Sequence, residues 1–270
     1  MTDAASEKTQ WYQNIFNDLN YDWEAIVDQR DTEKEVSFIE DVLEKKEKRR
    51  VLDLCCGTGR HSIVLSQHGW SIIGLDLSKN LLIIAKQRMR QKAVDFPLIR
   101  ADMRYFPFRN KVFKAVVNMF TSFGYLPSET EDLKCLCEVQ RTLMENGYFL
   151  IDVVNKEYVA KIYKERDWAE YEPFYLLENR ILDLRKSMLL SEWTIIRKNT
   201  NEVRHNQHNL RMYGSSKMRQ MLDKAGLRIK QVYGGYDKKK FSQNASRMIL
   251  LAQKQENKAK RKQEKVRKVA

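Results

Sequence analysis

The stretch Val51-Leu-Asp-Leu-Cys-Cys-Gly-Thr-Gly-Arg-His-Ser62 constrains this chain more than any other part of it. An apolar run ends in an acid, a Gly-x-Gly turn follows, and a helix-like segment begins. A second short apolar run, Ile72-Ile-Gly-Leu-Asp76, ends in another acid 17 residues beyond Gly59. This is the layout of a strand, a nucleoside-binding loop, a helix, and a second strand whose terminal carboxylate reads a ribose. Gly57 and Gly59 let the backbone approach a ligand closely and turn into the helix.

The rest of the chain extends that unit. Apolar runs at 51–54, 71–75, 96–100, 113–119 and 148–154 predict five strands, with helical patterns at about 60–68, 79–91 and 129–144 between most of them. Such alternation implies parallel pairing, with right-handed crossovers that place helices on both faces. Gly147 is placed to cap the third of these helices. Residues 171–213 then alternate apolar and polar side chains, as a half-exposed antiparallel sheet would. Ser215 or Ser216 is placed to cap another helix ending at Gly226, and two last strands run Leu227 to Tyr233 and Arg247 to Ala252. Upstream, Trp11 to Trp23 is an aromatic amphipathic helix. Thr32 to Glu47 is a second helix, with Thr32 as its N-cap and Val36, Ile39, Val42 and Leu43 at helical spacing. The expected fold is α/β: a doubly wound, seven-stranded, mostly parallel sheet with an inserted antiparallel β canopy. Its divisions are an N-terminal helical cap (1–47), a core (48–155 and 214–254), the canopy (156–213) and a basic tail (255–270).

With Asp53-Leu-Cys55-Cys-Gly57-Thr-Gly59, Ala101-Asp-Met103, Phe113 to Tyr125 and Arg247 to Ala252 in view, the chain resembles the class I S-adenosylmethionine-dependent methyltransferases across roughly residues 11–254. Cys55 stands where that family's loop has its first glycine, as in a large subgroup. The resemblance is to a prokaryotic subgroup similar in layout to the aminosugar N,N-dimethyltransferases. The loop alone leaves NAD, FAD and S-adenosylmethionine open. The single-pass strand order, Asp102 and the closing antiparallel pair favour the methyl donor, with S-adenosylhomocysteine as its product, on the Rossmann-like sheet of that family.

The resemblance implies roles for individual residues. Asp53 would sit by the amino-acid part of the cofactor, or alternatively only end a strand or cap the helix, and Cys55, Gly57, Thr58, Gly59 and Arg60 would also contact the cofactor. Asp76 would accept from both ribose hydroxyls or, in the plainer reading, cap the next helix. Leu77 would pack on the adenine, Asp102 would meet its amino group, and Met103 would offer a backbone amide. Asn118 and Met119 would lie beneath the cofactor at the end of the fourth strand. Tyr12 and Phe16 would close over it, unless their face is simply core. For the acceptor, the candidates are His61, Ser122, Tyr125, Asp152, Asn155, Arg211, Tyr213, Tyr236 and Arg247, and none stands out as a general base.

Composition sets the competing readings. There is no run of 18 apolar residues, so no membrane-spanning helix is expected. The spacing of Cys55, Cys56, Cys135 and Cys137 suits neither zinc nor a disulfide framework, and with no secretory pattern at the start a reduced, cytoplasmic setting is expected. Of the net charge of +13, nearly half falls in Lys254–Ala270, where eight Lys or Arg face two Glu. A small-molecule methyltransferase leaves that tail solvated. The alternative is a tRNA or rRNA methyltransferase that holds phosphates with the tail and with Lys45-Lys-Glu-Lys-Arg-Arg50. Asn118-Met-Phe-Thr stands where a base-amino methyltransferase would carry an Asn/Asp-Pro-Pro-aromatic tetrad. A third reading keeps the cofactor pocket without catalysis and uses the tail as a partner arm. Deleting residues 255–270 is expected to leave filter retention of tRNA at background at about 150 mM salt. A steep salt slope that vanishes with the tail would assign the tail to phosphate contact.

Overall fold

The computed structural model describes residues 12, 15, 16, 23–26, 32–43 and 50–255. The basic tail from 256 on, residues 45–49 of the upstream basic run, and most of the aromatic segment 11–23 lie outside the described residues. After a helical turn at Trp23–Ile26, the chain forms α1 (Thr32–Val42), β1 (Val51–Leu54), α2 (Arg60–Gln67), β2 (Ile72–Asp76), α3 (Lys79–Gln91), β3 (Leu98–Arg100), β4 (Phe113–Asn118), α4 (Glu129–Thr142) and β5 (Leu143–Val154). Next come α5 (Lys156–Ile162), β6 (Arg166–Glu170), β7 (Phe174–Asp183), β8 (Met188–Arg197) and β9 (Val203–Arg211), then α6 (Ser215–Lys224), β10 (Leu227–Tyr233) and β11 (Arg247–Lys254).

Seven strands form one sheet in the order β10-β11-β5-β4-β1-β2-β3. β1 pairs in parallel with β2 on one side and β4 on the other, and β11 runs antiparallel between β5 and β10. The strand order therefore reverses between β1 and β4, and the carboxyl ends of those strands open a crevice there. β1 is buried along its whole length, as a strand covered on both faces must be. Alternate residues feed opposite layers: Leu52, Leu54 and Val116 pack with Leu136 of α4 and Met218 of α6. Val51, Ala115 and Val117 pack with Ile39 of α1 and Ile63 of α2.

β6, β7, β8 and β9 form a separate antiparallel sheet. Phe174, Leu176, Trp193 and Ile195 pack with Ile15 on one face, while Trp168 and Leu177 stand exposed on the other. β6 and α5 are missing from the sequence expectation: β6 has only Trp168 and Ala169 as apolar residues, and α5 is a short helix that buries none of its side chains.

Three local expectations are corrected. The helix ending near 144 stops at Thr142, and the chain passes directly into β5, with Asn146 rather than Gly147 at positive φ. Gly147 is needed for closeness instead, since a Cβ there would lie 2.9 Å from the Met144 carbonyl and 3.1 Å from that of Lys114. Thr32 sits in the first turn of α1, and its hydroxyl accepts from Arg60 Nη1 at 3.1 Å. Gly214, not a serine, is the N-cap of α6, without a side-chain bond.

The second sheet is tied to the core at the end of β9. Arg211 donates to the Leu126 and Pro127 carbonyls and pairs with Asp132 at 3.0 Å, and Tyr213 donates to the same carboxylate at 2.6 Å. Asp132 is fully buried, and burial pushes its carboxyl up to about 6 against the pull of Tyr213 and Arg211. Removing one member of a buried pair leaves the other uncompensated. Asp132→Ala is therefore expected to lower unfolding free energy by about 3 kcal/mol in urea titration, whereas an effect below about 0.5 kcal/mol would show that the anchor contributes nothing.

Candidate functional site

The crevice at β1, β2 and β4 is a pocket whose wall begins at the glycine loop. Cys55 adopts φ 61, the left-handed conformation that costs an L-residue and that glycine takes freely. Cys56 N–H donates to the Leu75 carbonyl at 3.0 Å, continuing the β1–β2 ladder one step past the strand. Gly57, at φ 55, then turns its N–H onto Asp76 Oδ2 at 2.8 Å. A Cβ on Gly57 would meet only Leu81 Cδ1 at 4.0 Å, so its exposed side is an open cradle. Gly59 is needed for packing: a Cβ there would lie 3.3 Å from that of Ala85 on α3.

Asp76 ends β2 and also accepts from Ser78 N–H at 2.8 Å through Oδ1. Each carboxylate oxygen keeps a lone pair for a further donor. Burial pushes this carboxyl up to about 6, although the amides of Ser78 and Gly57 oppose the rise. Asp53 is buried, accepts from Ser62 Oγ at 2.6 Å, and has its carboxyl raised by burial against the pull of His61 and Ser62. Asp102 lines the far end of the pocket, in a two-pronged pair with Arg104 at 2.6 and 3.0 Å. Leu77, Ala101 and Met103 lie beside it, and Tyr12 and Phe16 form part of the wall. Ser78 Oγ donates to the Phe16 carbonyl, tying that upstream segment to the site.

At the other end the wall is made by Met119, Phe120, Ser122, Tyr125 and Leu126. The turn after β4 is unusual: Phe120 and Thr121 stand at φ 58 and 61 in succession, and for a β-branched residue such a φ is a true outlier. Asp152 holds both, accepting from Phe120 N–H at 3.0 Å through its carboxylate and from Thr121 N–H at 2.9 Å through its carbonyl. Arg247 and Tyr236 hold Asp152 in turn, at 2.7 and 2.6 Å.

Of the expected residues, Tyr12, Asp53, Cys55, Gly57, Thr58, Arg60, His61, Asp76, Leu77, Asp102, Met103, Met119, Ser122 and Tyr125 line one pocket. Others lie outside its wall. Asn118 lies beneath, its Nδ2 on the Leu54 carbonyl at 2.9 Å. Asn155 caps α5 and donates to the Ser242, Gln243 and Ala245 carbonyls. Arg211 and Tyr213 are committed to Asp132, and Asp152, Tyr236 and Arg247 to the Phe120 turn. Glu35 was absent from the expectation. It lies on α1, contacts His61 Nε2 and pairs with Arg60 Nη1 at 2.5 Å. Burial pushes its carboxyl up, but His61 and Arg60 outweigh that and hold it below the usual range. Its partners lie 25 and 26 residues away, so no local signal marks it. Arg88, which donates to Thr58 Oγ1 at 3.0 Å, and Phe120 were also missed.

Two buried polar atoms near the loop have no partner among the described residues, the donor Arg60 Nη2 and the acceptor Asn118 Oδ1. With the open cradle at Gly57 and the free lone pairs of Asp76, the residues fit a nucleoside carrying a vicinal diol and an amino-acid end.

A family model described as a methyltransferase domain matches residues 51–147. The putative methyltransferase YqeM of Bacillus subtilis (strain 168) is 32% identical over 126 residues, 47% of this chain and 51% of that protein. A dTDP-3-amino-3,4,6-trideoxy-alpha-D-glucopyranose N,N-dimethyltransferase of Streptomyces venezuelae is 38% identical over 106 residues, 38% of this chain and 42% of that one. The aligned part thus spans about half the length of these two relatives or less. A solved structure of an S-adenosylmethionine-dependent methyltransferase from Clostridium acetobutylicum ATCC 824 superposes with a TM-score of 0.76 at 18% identity, covering 91% of this chain and 98% of that one, which shows the shared fold.

Asp76 yields a two-part expectation. Its folded pKa lies above the ordinary 3.8, so its contribution to stability is full below that value and is lost as pH rises through about 6. Thermal melts of the ligand-free protein between pH 4 and 7 are expected to show a decline, of which up to about 3 kcal/mol belongs to Asp76 and is removed by Asp76→Asn, while the part due to Asp132 remains. Calorimetry with S-adenosylhomocysteine is expected to show affinity reduced at least about 30-fold in Asp76→Ala, the loss of charged hydrogen bonds worth about 2 kcal/mol; unchanged affinity would remove Asp76 from the site.

Proposed function

We propose that the chain is a class I S-adenosylmethionine-dependent methyltransferase that methylates the amine nitrogen of a small-molecule acceptor. The observation that carries this is the make-up of the pocket end beyond the glycine loop. Phe16, Phe120 and Tyr125 line the pocket, with the rings of Phe16 and Tyr125 5.6 Å apart. Aromatic faces attract an ammonium or sulfonium charge by about 0.5–2 kcal/mol without competing for the nitrogen lone pair. The N,N-dimethyltransferase relative acts, by its name, on an amino sugar nucleotide, which supports the same acceptor class here.

S-adenosylmethionine supplies, when bound, a methyl group already activated on a sulfonium. The protein's task is then alignment and exclusion of water. Asp76 would take the ribose hydroxyls, Leu77 and Met103 would flank the adenine, and Asp102 would meet its amino group. Asp53, held by Ser62, sits at the amino-acid end. Tyr12 and Phe16 would cover the donor, and the second sheet reaches the pocket through His208, which bonds the Tyr125 hydroxyl at 3.1 Å. Ser122 and Tyr125 orient the incoming amine, which attacks from its neutral form, so its proton can leave to water before transfer.

One feature favours a second reading. The Glu35–His61 contact places a carboxylate-held imidazole on the pocket wall, the arrangement an alcohol acceptor would need for a general base. No observation within the described residues favours RNA. Tritiated methyl transfer to a panel of amino sugars and amino acids, run beside their hydroxyl analogues, separates the readings. Amines are expected to be labelled, at a rate that rises with pH as the acceptor ammonium loses its proton, with His61→Asn within about threefold of wild type. Labelling confined to the hydroxyl analogues, and abolished in His61→Asn, would overturn amine methylation.

A further inference from the structure

Ser122 and Tyr125 bring two hydroxyls to the pocket wall on the turn after β4. Both protons are committed elsewhere. Ser122 Oγ lies 3.0 Å from the Met119 carbonyl, which can only accept, so the hydroxyl donates to it. The Tyr125 hydroxyl lies 3.1 Å from Nε2 of His208 on β9, and the direction of that bond depends on which ring nitrogen carries the proton. Two observations decide it. Burial first, and then the charge of Arg180, hold the ring to about 4, so it carries a single proton at neutral pH. A bond to the residue's own backbone opposes that fall, and a backbone partner that favours protonation is a carbonyl. Nδ1, the nitrogen nearer the backbone, therefore keeps the proton, and Nε2 accepts from Tyr125. Trp193 fixes the plane of the ring by stacking on it at 4.5 Å and 16°, and the ring meets that of Tyr125 edge-on at 5.4 Å.

We infer that His208 is a positioning residue that draws the Tyr125 proton away from the pocket, so that the Tyr125 and Ser122 oxygens meet the incoming amine as hydrogen-bond acceptors only. The inference deepens the amine reading and rests on it. A neutral amine gives its N–H bonds to such oxygens and keeps its lone pair for the methyl carbon. As the lone pair forms the N–C bond, the S–C bond breaks and its electrons pass to sulfur. The nitrogen gains positive charge, and its N–H bonds to the two oxygens become charge-assisted. That strengthening lies in the transition state rather than in substrate binding, so it belongs to kcat. A Tyr125 proton turned inward would instead bond the amine lone pair and oppose attack. The ammonium formed loses its proton to water.

Two measurements test this. Nitrogen NMR of protein carrying isotopically labelled histidine locates the proton, with His208→Gln identifying the His208 signals among those of the four histidines. The proton is expected on Nδ1, and a proton on Nε2 would overturn the inference. Kinetics then use S-adenosylmethionine with whichever amine of the amino-sugar and amino-acid panel the wild type labels fastest. His208→Phe keeps a ring against Trp193 but cannot accept. It is expected to lower kcat at least about tenfold, with KM for the amine and S-adenosylhomocysteine affinity changed less than about threefold. His208→Gln, whose side-chain oxygen can accept, is expected to keep kcat within about threefold of wild type. Tyr125→Phe is expected to lose as much as His208→Phe, and the double variant no more than either, because His208 acts only through Tyr125. Losses that multiply in the double variant, or a His208→Phe loss confined to KM, would show a merely structural histidine and overturn the inference. Melting curves report folding; if His208→Phe does not fold, Tyr125→Phe kinetics and the nitrogen signals decide. If the wild type labels no amine, the amine reading fails and takes the inference with it. If amines are labelled and the proton sits on Nε2, only the role of His208 fails.

Discussion

The bond from Gly57 N–H to Asp76 Oδ2 joins the two features on which the site depends, the loop after β1 and the acid ending β2. A buried carboxylate without a countercharge is tolerable only where dipoles converge on it. Two backbone amides, of Gly57 and Ser78, do that here, and both come from segments whose course the parallel β1–β2 pair sets. The ladder extends past the strand through Cys56 N–H to the Leu75 carbonyl, so the loop cannot relax away from Asp76 without breaking sheet bonds. Cys55 accepts left-handed backbone for the same reason. The strand order reversing between β1 and β4 then leaves this end of the sheet uncovered.

A second constraint shapes the opposite wall. Two successive left-handed residues, Phe120 and Thr121, persist only because surrounding groups over-determine them. Asp152 takes one amide on its carboxylate and the next on its carbonyl, and Arg247 reaches both the Asp152 carboxylate and Thr121 Oγ1. Tyr236 completes the shell, its hydroxyl pushed above the usual range by burial and by the charge of Asp152. The same network ties in α1, since the Phe38 ring packs edge-on to those of Tyr233 and Tyr236 while Glu35 holds Arg60 above Phe120. The pocket's shape is therefore set by residues that do not line it.

This explains which parts were legible in the sequence. Asp53, Gly57, Asp76 and Asp102 lie at the ends of strands, and each is signalled by its own few neighbours: an apolar run, a turn, an acid. The alternation of strands and helices is visible for the same reason, because every strand of a doubly covered sheet is an apolar run. Asp152, Asn155, Arg211, Tyr213, Tyr236 and Arg247 were also marked by position, at strand ends facing the crevice, but position alone cannot say what a polar side chain bonds to. Each is claimed by a partner more than 80 residues away, for example Asn155 by the Ala245 carbonyl and Arg211 by the Leu126 carbonyl. Glu35 is the converse case, a residue with a central contact and no local mark. The helix end at Thr142 was misjudged because β5 follows it without a loop, so the glycine there answers to crowding rather than to a left-handed cap.

Charge is where the sequence is most easily over-read. A net charge of +13 describes solubility and long-range attraction, not the pocket. At the site the balance is local: Arg60 meets Glu35, Arg104 meets Asp102, and Arg247 meets Asp152. Each of these three cations is already partnered by an acid, while Arg88, also on the wall, donates to the Thr58 hydroxyl, and the wall further carries aromatic surface and two hydroxyls, Ser122 and Tyr125. Recognition by ring faces and shape selects a compact polar molecule of low negative charge, whereas a polynucleotide would need rows of unpaired cations at the mouth. The proposed acceptor class rests on how the cations among the described residues are paired, and not on how many the chain carries.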